Sequence, residues 1–116
     1  MEGDASAGYT HTHQVLLRVA RGRGEHAAST LEANDVITNP QAFWDDASFA
    51  VASGVRMGSQ EMTRYGMRED DFATLATLLA RVLASAERAT RNAASTALRD
   101  NIRELRGAFT QMKFCL

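Results

Sequence analysis

Residues 49–59 read Phe-Ala-Val-Ala-Ser-Gly-Val-Arg-Met-Gly-Ser. The apolar, valine-containing run predicts a strand over residues 49–57, interrupted by Gly54. Arg56 sits inside this run with Gly54 on one side and Gly58 on the other. Glycine at such places permits a bulge or a close approach of another backbone. An arginine in that setting is either paired internally or aimed at an anionic ligand, and its planar fork suits a carboxylate bidentately where lysine does not. Pattern alone leaves both readings open.

Toward the N-terminus, Gln14 to Ala20 is a short apolar run with polar flanks, read as a strand. Arg21-Gly22-Arg23-Gly24 is a turn, and Ala27, Ala28 and Leu31 at helical spacing predict a short helix over 25–34. Val36 to Thr38 is a candidate brief strand ended by Asn39-Pro40, and residues 41–46, with Phe43 and Trp44, read as a loop. Toward the C-terminus, residues 58–67 are irregular and polar. Glu69, Asp70 and Asp71 then place negative charge where a helix start favours it. Phe72, Leu75, Ala76, Leu79, Val82, Leu83 and Ala86 follow one face, predicting a helix over 69–88. A second helix starts after Ser95 as N-cap, with Leu98, Ile102, Leu105, Phe109 and Met112 as a narrow apolar seam. That seam packs either on the chain's own core or on a second chain. The succession predicts an α/β (α+β) domain over 1–116, with a small sheet of two to four strands covered by helices.

Composition narrows the function. The 116 residues are 45% hydrophobic and 23% charged, which supports a packed core and argues against wholesale disorder. A net charge of −1 argues against a general electrostatic grip on nucleic acid, so no nucleic-acid partner is expected. No apolar run reaches the roughly 18 residues needed to span a bilayer, so no membrane association is expected either. The polar start, residues 1–13, does not look like a signal peptide, and Met1 with two whole terminal helices suggests a natural short chain, with a fragment of a longer enzyme as the alternative. The single cysteine, Cys115, fits a reducing cytoplasm. Twelve arginines accompany one lysine, Lys113, so a lysine Schiff base within this chain would have to use that residue.

Other motifs are weaker. His11 and His13 lie two apart, a spacing compatible with zinc or copper, but no further ligand cluster completes a metal site. The Arg21–Gly24 turn before a helix resembles a phosphate-cradling turn, but it lacks the phosphate-loop spacing and its Gly-Lys-Ser/Thr, so the expected reading is a solvated surface turn, with anion binding as the alternative. The mixed charges of Arg99, Asp100, Arg103, Glu104 and Arg106 read as a solvated helix face.

Ser53-Gly-Val-Arg-Met-Gly-Ser-Gln-Glu-Met-Thr-Arg-Tyr-Gly-Met67 resembles the C-terminal signature of serine hydroxymethyltransferases, in which Ser-Gly-(Ile/Val/Leu)-Arg-hydrophobic-Gly-(Thr/Ser) precedes an acidic helix start. Thr10 to Val19 is similar to the strand entering that family's small domain, and Leu31 to Asn39 to its helix end and Ile-Thr-Val-Asn strand. The likeness covers nearly the whole chain but only the last quarter or so of a family member. Two stretches depart from the pattern. Ser59-Gln60-Glu61 replaces the usual Thr-Pro-Ala, and the loop from Pro40 to Phe49 differs where the family places its folate pocket. Both departures lean toward threonine transaldolase and other amino-acid aldolase relatives that do without folate.

The resemblance implies a fold like the C-terminal domain of fold type I pyridoxal-phosphate enzymes. It implies that Arg56 binds the α-carboxylate of an amino-acid substrate, with Ser53, Gly54 and Gly58 shaping the backbone around it. His13, Ser59 and Thr63 are candidates for a supporting layer, and Arg64, Tyr65 and Trp44 for lining. The family's larger domain, which carries the Schiff-base lysine and most cofactor contacts, has no counterpart here. The expectation is therefore a small-domain subunit of a hetero-oligomeric enzyme whose large-domain partner holds most of the pyridoxal 5'-phosphate, with no catalytic residue in this chain. The competing expectation is a non-catalytic interaction or regulatory module, binding through the Leu98–Met112 seam or the Phe43/Trp44 loop.

Overall fold

The computed structural model describes residue 3 and residues 5–88 and 95–113. Cys115 lies outside the described residues. Strand β1 spans Gln14–Arg18, helix α1 Gly24–Ala33, strand β2 Asn39–Gln41 and strand β3 Gly54–Gly58. Helices α2 (Gln60–Arg64), α3 (Glu69–Arg88) and α4 (Thr96–Gly107) follow. Among the described residues the strands form one antiparallel sheet in the order β1-β3-β2, within the expected α+β layout. The strand that carries Arg56 is therefore the central one.

Register assigns the faces. Leu17 and Pro40 stand opposite Val55, and Leu16 and Asn39 opposite Arg56. Directly opposed residues share a face of the sheet and successive residues alternate. Val55 and Met57 thus face the helices. Val55 is wholly buried in a core with Ala27 and Leu31 of α1, Leu78, Leu79 and Val82 of α3, and Ile102 of α4. Arg56 lies on the other face, which the helices leave open.

The sequence expectations fare unevenly. Helix α3 runs over the predicted 69–88, and Asp71 accepts the backbone N–H of Arg68 at its start. Its buried face is turned slightly from the expected one, because Leu78 is in the core while Ala76 is exposed. Ser95 caps α4 as expected, its hydroxyl accepting from the Leu98 N–H at 3.4 Å. Leu98, Ile102 and Leu105 pack on the chain's own core, which decides between the two readings of that part of the seam. The helix ends at Gly107, so Phe109 and Met112 fall beyond it.

Three local expectations are corrected. The brief strand is Asn39–Gln41, not Val36–Thr38. Pro40 is accommodated because β2 is an edge strand, where one missing N–H need not break a ladder. Phe49–Val51 is a single 3-10 turn, so β3 begins only at Gly54. The polar segment after Gly58 contains the short helix α2, started at Ser59.

Candidate functional site

The open sheet face is built around Arg56. The residue is exposed, and among the described residues its guanidinium makes no hydrogen bond or ion pair. Leu16 and Asn39 flank it from the two neighbouring strands. Glycine stands two residues away in either direction along β3, so no side chain of the same strand rises beside it on this face. The result is a low platform whose exposed Arg56 guanidinium has no protein counter-charge among the described residues, whereas Arg18 on the same face is paired with Asp45.

One end of the platform is closed by the loop between β2 and β3. The Phe43 ring lies directly over Gly54: a Cβ there would come within 2.3 Å of the ring and 2.8 Å of the Gln41 carbonyl. Arg18 covers the same ring, its guanidinium carbon 4.1 Å from the centroid, while its Nη1 donates to Asp45 at 3.1 Å. Arg21 adds a bond to the Asp45 carbonyl.

Asp46 anchors that loop to the start of β3. It accepts the backbone N–H of Phe43 at 2.8 Å, the N–H of Ser53 at 2.9 Å and the Ser53 hydroxyl. These donors hold its carboxyl below the ordinary carboxylate range, the Phe43 N–H contributing most and the Ser53 hydroxyl next. The Ser53 oxygen also accepts the Gly22 N–H at 2.9 Å. Ser53 is buried, so its hydroxyl serves the loop and the turn before α1. Gly54 receives Phe43, and Gly58 lies at the opposite, exposed end of the strand against the Gln60 side chain.

His13, Ser59 and Thr63 come together at that far end. The His13 carbonyl accepts the Ser59 N–H at 2.9 Å and its hydroxyl at 3.3 Å. Thr63 donates to the Ser59 carbonyl at 2.8 Å. His11 and His13 precede β1 on exposed backbone. Arg64 and Tyr65 turn toward the C-terminal segment: Arg64 contacts Met112 and Glu61, and Tyr65 lies under Arg106. Trp44 is 92% exposed at the tip of the anchored loop.

No family model matches the chain. Curated relatives do. A serine hydroxymethyltransferase of Pyrobaculum neutrophilum is 41% identical over 108 residues, covering 92% of this chain and 24% of that protein. The enzymes of Metallosphaera sedula and Thermoplasma volcanium are 35% and 31% identical, over 94% and 93% of this chain and 25% of each relative. The chain is a homologue of the C-terminal region of serine hydroxymethyltransferases. It spans about a quarter of the length of these relatives.

Within this hydroxymethyltransferase-like region, Arg56 is the one candidate picked from sequence that stands free on the open face. Leu16, Asn39 and Asp46 have no site role in the sequence reading, and Phe43 enters it as part of a partner-binding loop and not as the cover over Gly54. Leu16 and Asn39 acquire that role only through strand register, which single-strand patterns do not encode. Asp46 carried a faint signal as an acid seven residues before a Ser-Gly pair, but in sequence it is indistinguishable from a solvated loop acid. Among the described residues no helix is long and apolar enough to cross a membrane.

Proposed function

We propose that this chain supplies the carboxylate-binding arginine to an amino-acid-transforming enzyme whose remaining active site is carried by a large-domain polypeptide. Arg56 would grip the substrate α-carboxylate bidentately and so fix which bond of Cα is presented for cleavage or formation. The reaction class is aldol-type Cα–Cβ chemistry, with serine or threonine cleavage as the reference reaction. This chain's share is orientation, and no bond-breaking step falls to its residues.

The observation that carries the reading is the state of Arg56: exposed, central in the sheet, between two glycines, and without a protein counter-charge among the described residues. An unpaired guanidinium fixed on a strand is poised for an external acid, whereas a structural arginine would be bonded within the fold.

Pyridoxal phosphate is the cofactor that the family likeness implies, and the residues of this chain do not fit it as a covalent host. Lys113, the only lysine, belongs to the segment after α4, with its Nζ beside the Gln111 side chain and its backbone N–H on the Arg64 carbonyl. No lysine stands on the sheet face. The cofactor therefore belongs to the large-domain polypeptide in this reading. Trp44, Phe49 and Ile37, which are 92%, 69% and 85% exposed, favour a partner surface close to β2 and its loop. Those same side chains are what a purely adaptor role would use, which keeps the non-catalytic module as the second reading.

Co-expression with a large-domain chain, followed by a serine- or threonine-cleavage assay on the purified complex, separates the two. Turnover that appears only in the complex and is lost in Arg56→Ala, while both chains still co-elute, is the expected result. Unchanged turnover in Arg56→Ala would end the proposal.

A further inference from the structure

A concave feature lies in the helical layer, lined by none of the residues of the open sheet face. It is a groove of about 420 Å³ between the end of α2, the residues after α1, and the C-terminal part of α4. That volume lies within the range of small-ligand sites. Ile102 and Tyr65 give it apolar walls, Arg103 and Arg106 line one side, and Thr110 and Asp35 complete it.

Its electrostatics are unbalanced. Arg99, Arg103 and Arg106 follow one flank of α4 at spacings of four and three. Among the described residues Asp35 is the only carboxylate in ion-pair contact with them, at 3.3 Å from Arg99 and closer to Arg103. Among the residues that line the groove, two guanidiniums, Arg103 and Arg106, stand against one carboxylate, Asp35, while Asp100 and Glu104 of the same helix are not in its lining.

Donors also remain unused. A guanidinium has five N–H groups. Arg103 bonds Asp35 through Nε alone, and Arg106 bonds the Phe109 carbonyl through Nη1. The hydroxyls of Tyr65 and Thr110 have no partner among the described residues. Arg106 is held over the Tyr65 ring, 5.0 Å from its centroid, so its fork stands fixed beside the groove.

We propose that this groove is a separate ligand site for a small anion, a carboxylate or phosphoryl group carried on a flat apolar body. The free nitrogens of Arg103 and Arg106 receive the anionic head, and the Ile102 and Tyr65 walls receive the body. The site needs no partner chain and does not depend on the role given to Arg56.

Benzoate, phenyl phosphate and uncharged benzamide, titrated into the Arg56→Ala protein and followed by amide NMR, test it with the sheet-face arginine removed from competition. Expected are saturable shifts at Tyr65, Ile102, Gly107 and Thr110 with one or both anions, and binding of benzamide weaker by about tenfold. The preferred anion tells a carboxylate site from a phosphoryl site. Arg103→Gln and Arg106→Gln should each weaken the anion by about tenfold. Should Arg106→Gln lose its folded spectrum, Arg103→Gln decides. Benzamide binding as well as the anions, no saturable shift with either anion, or unchanged affinity in a folded Arg103→Gln protein would each overturn the proposal.

Discussion

The two faces of the three-stranded sheet obey different rules. On the helix side, Val55 is completely buried and belongs to the core cluster that α1, α3 and α4 also furnish. On the open side, the next residue along the same strand, Arg56, is exposed and unbonded within the described fold. A shift of one position in register would exchange them, so the burial of Val55 is what delivers Arg56 to the open face. The comparison teaches that stability and the candidate function are carried by alternate residues of one strand, and that the two should separate under mutation.

The widest separation is expected at Arg56. Arg56→Ala should lower turnover of the two-chain enzyme by about a hundredfold or more, while unfolding free energy moves by no more than about 0.5 kcal/mol. Steady-state kinetics with denaturant melts of the isolated chain check both halves, and a large stability loss would collapse the contrast. On the helix side, Leu31→Ala should destabilise by about 3 kcal/mol through the cavity it leaves, because Leu31 is fully buried. Denaturant midpoints read this directly.

Gly54→Ala tests the seam between the faces. The new methyl collides with the Phe43 ring and the Gln41 carbonyl, so a loss of roughly 1–3 kcal/mol and displacement of the loop are expected in the melt and in Trp44 fluorescence. Asp46 gives a pH-dependent version. Its folded carboxyl titrates below the ordinary value of 3.8, so its contribution is present above that value and fades as pH falls through the lower folded one. Melting temperatures of wild type and Asp46→Asn should therefore converge as the solution is made more acidic than pH 3.8. The smallest effect belongs to Trp44→Ser, with stability within about 0.5 kcal/mol of wild type because the indole is 92% exposed. A larger loss in the isolated chain would mean that the indole packs against the fold.

Much of the helical layer was legible in sequence. The acid start and apolar period of α3 and the serine cap of α4 each encode their element locally. The sheet was less so. Strand β2 contains proline and spans three residues, so only its pairing with β3 makes it a strand. Helix α2 has no apolar period to reveal it, being five residues long and polar on most positions. The glycine-flanked arginine is legible in the sequence, since a cation within an apolar run demands a reason. Its neighbours Leu16 and Asn39 are not, because they lie 40 and 17 residues away along the chain and meet it only in space.

The strand order has one more consequence. Among the described residues β1 and β2 are not paired with each other; each finds its only strand partner in β3. The segment bearing the guanidinium is thus a keystone, and slippage there dismantles the whole ribbon instead of merely fraying an edge. Changes at the ends of this platform can be absorbed locally, whereas a change in the backbone beneath its charge is felt by both flanking strands.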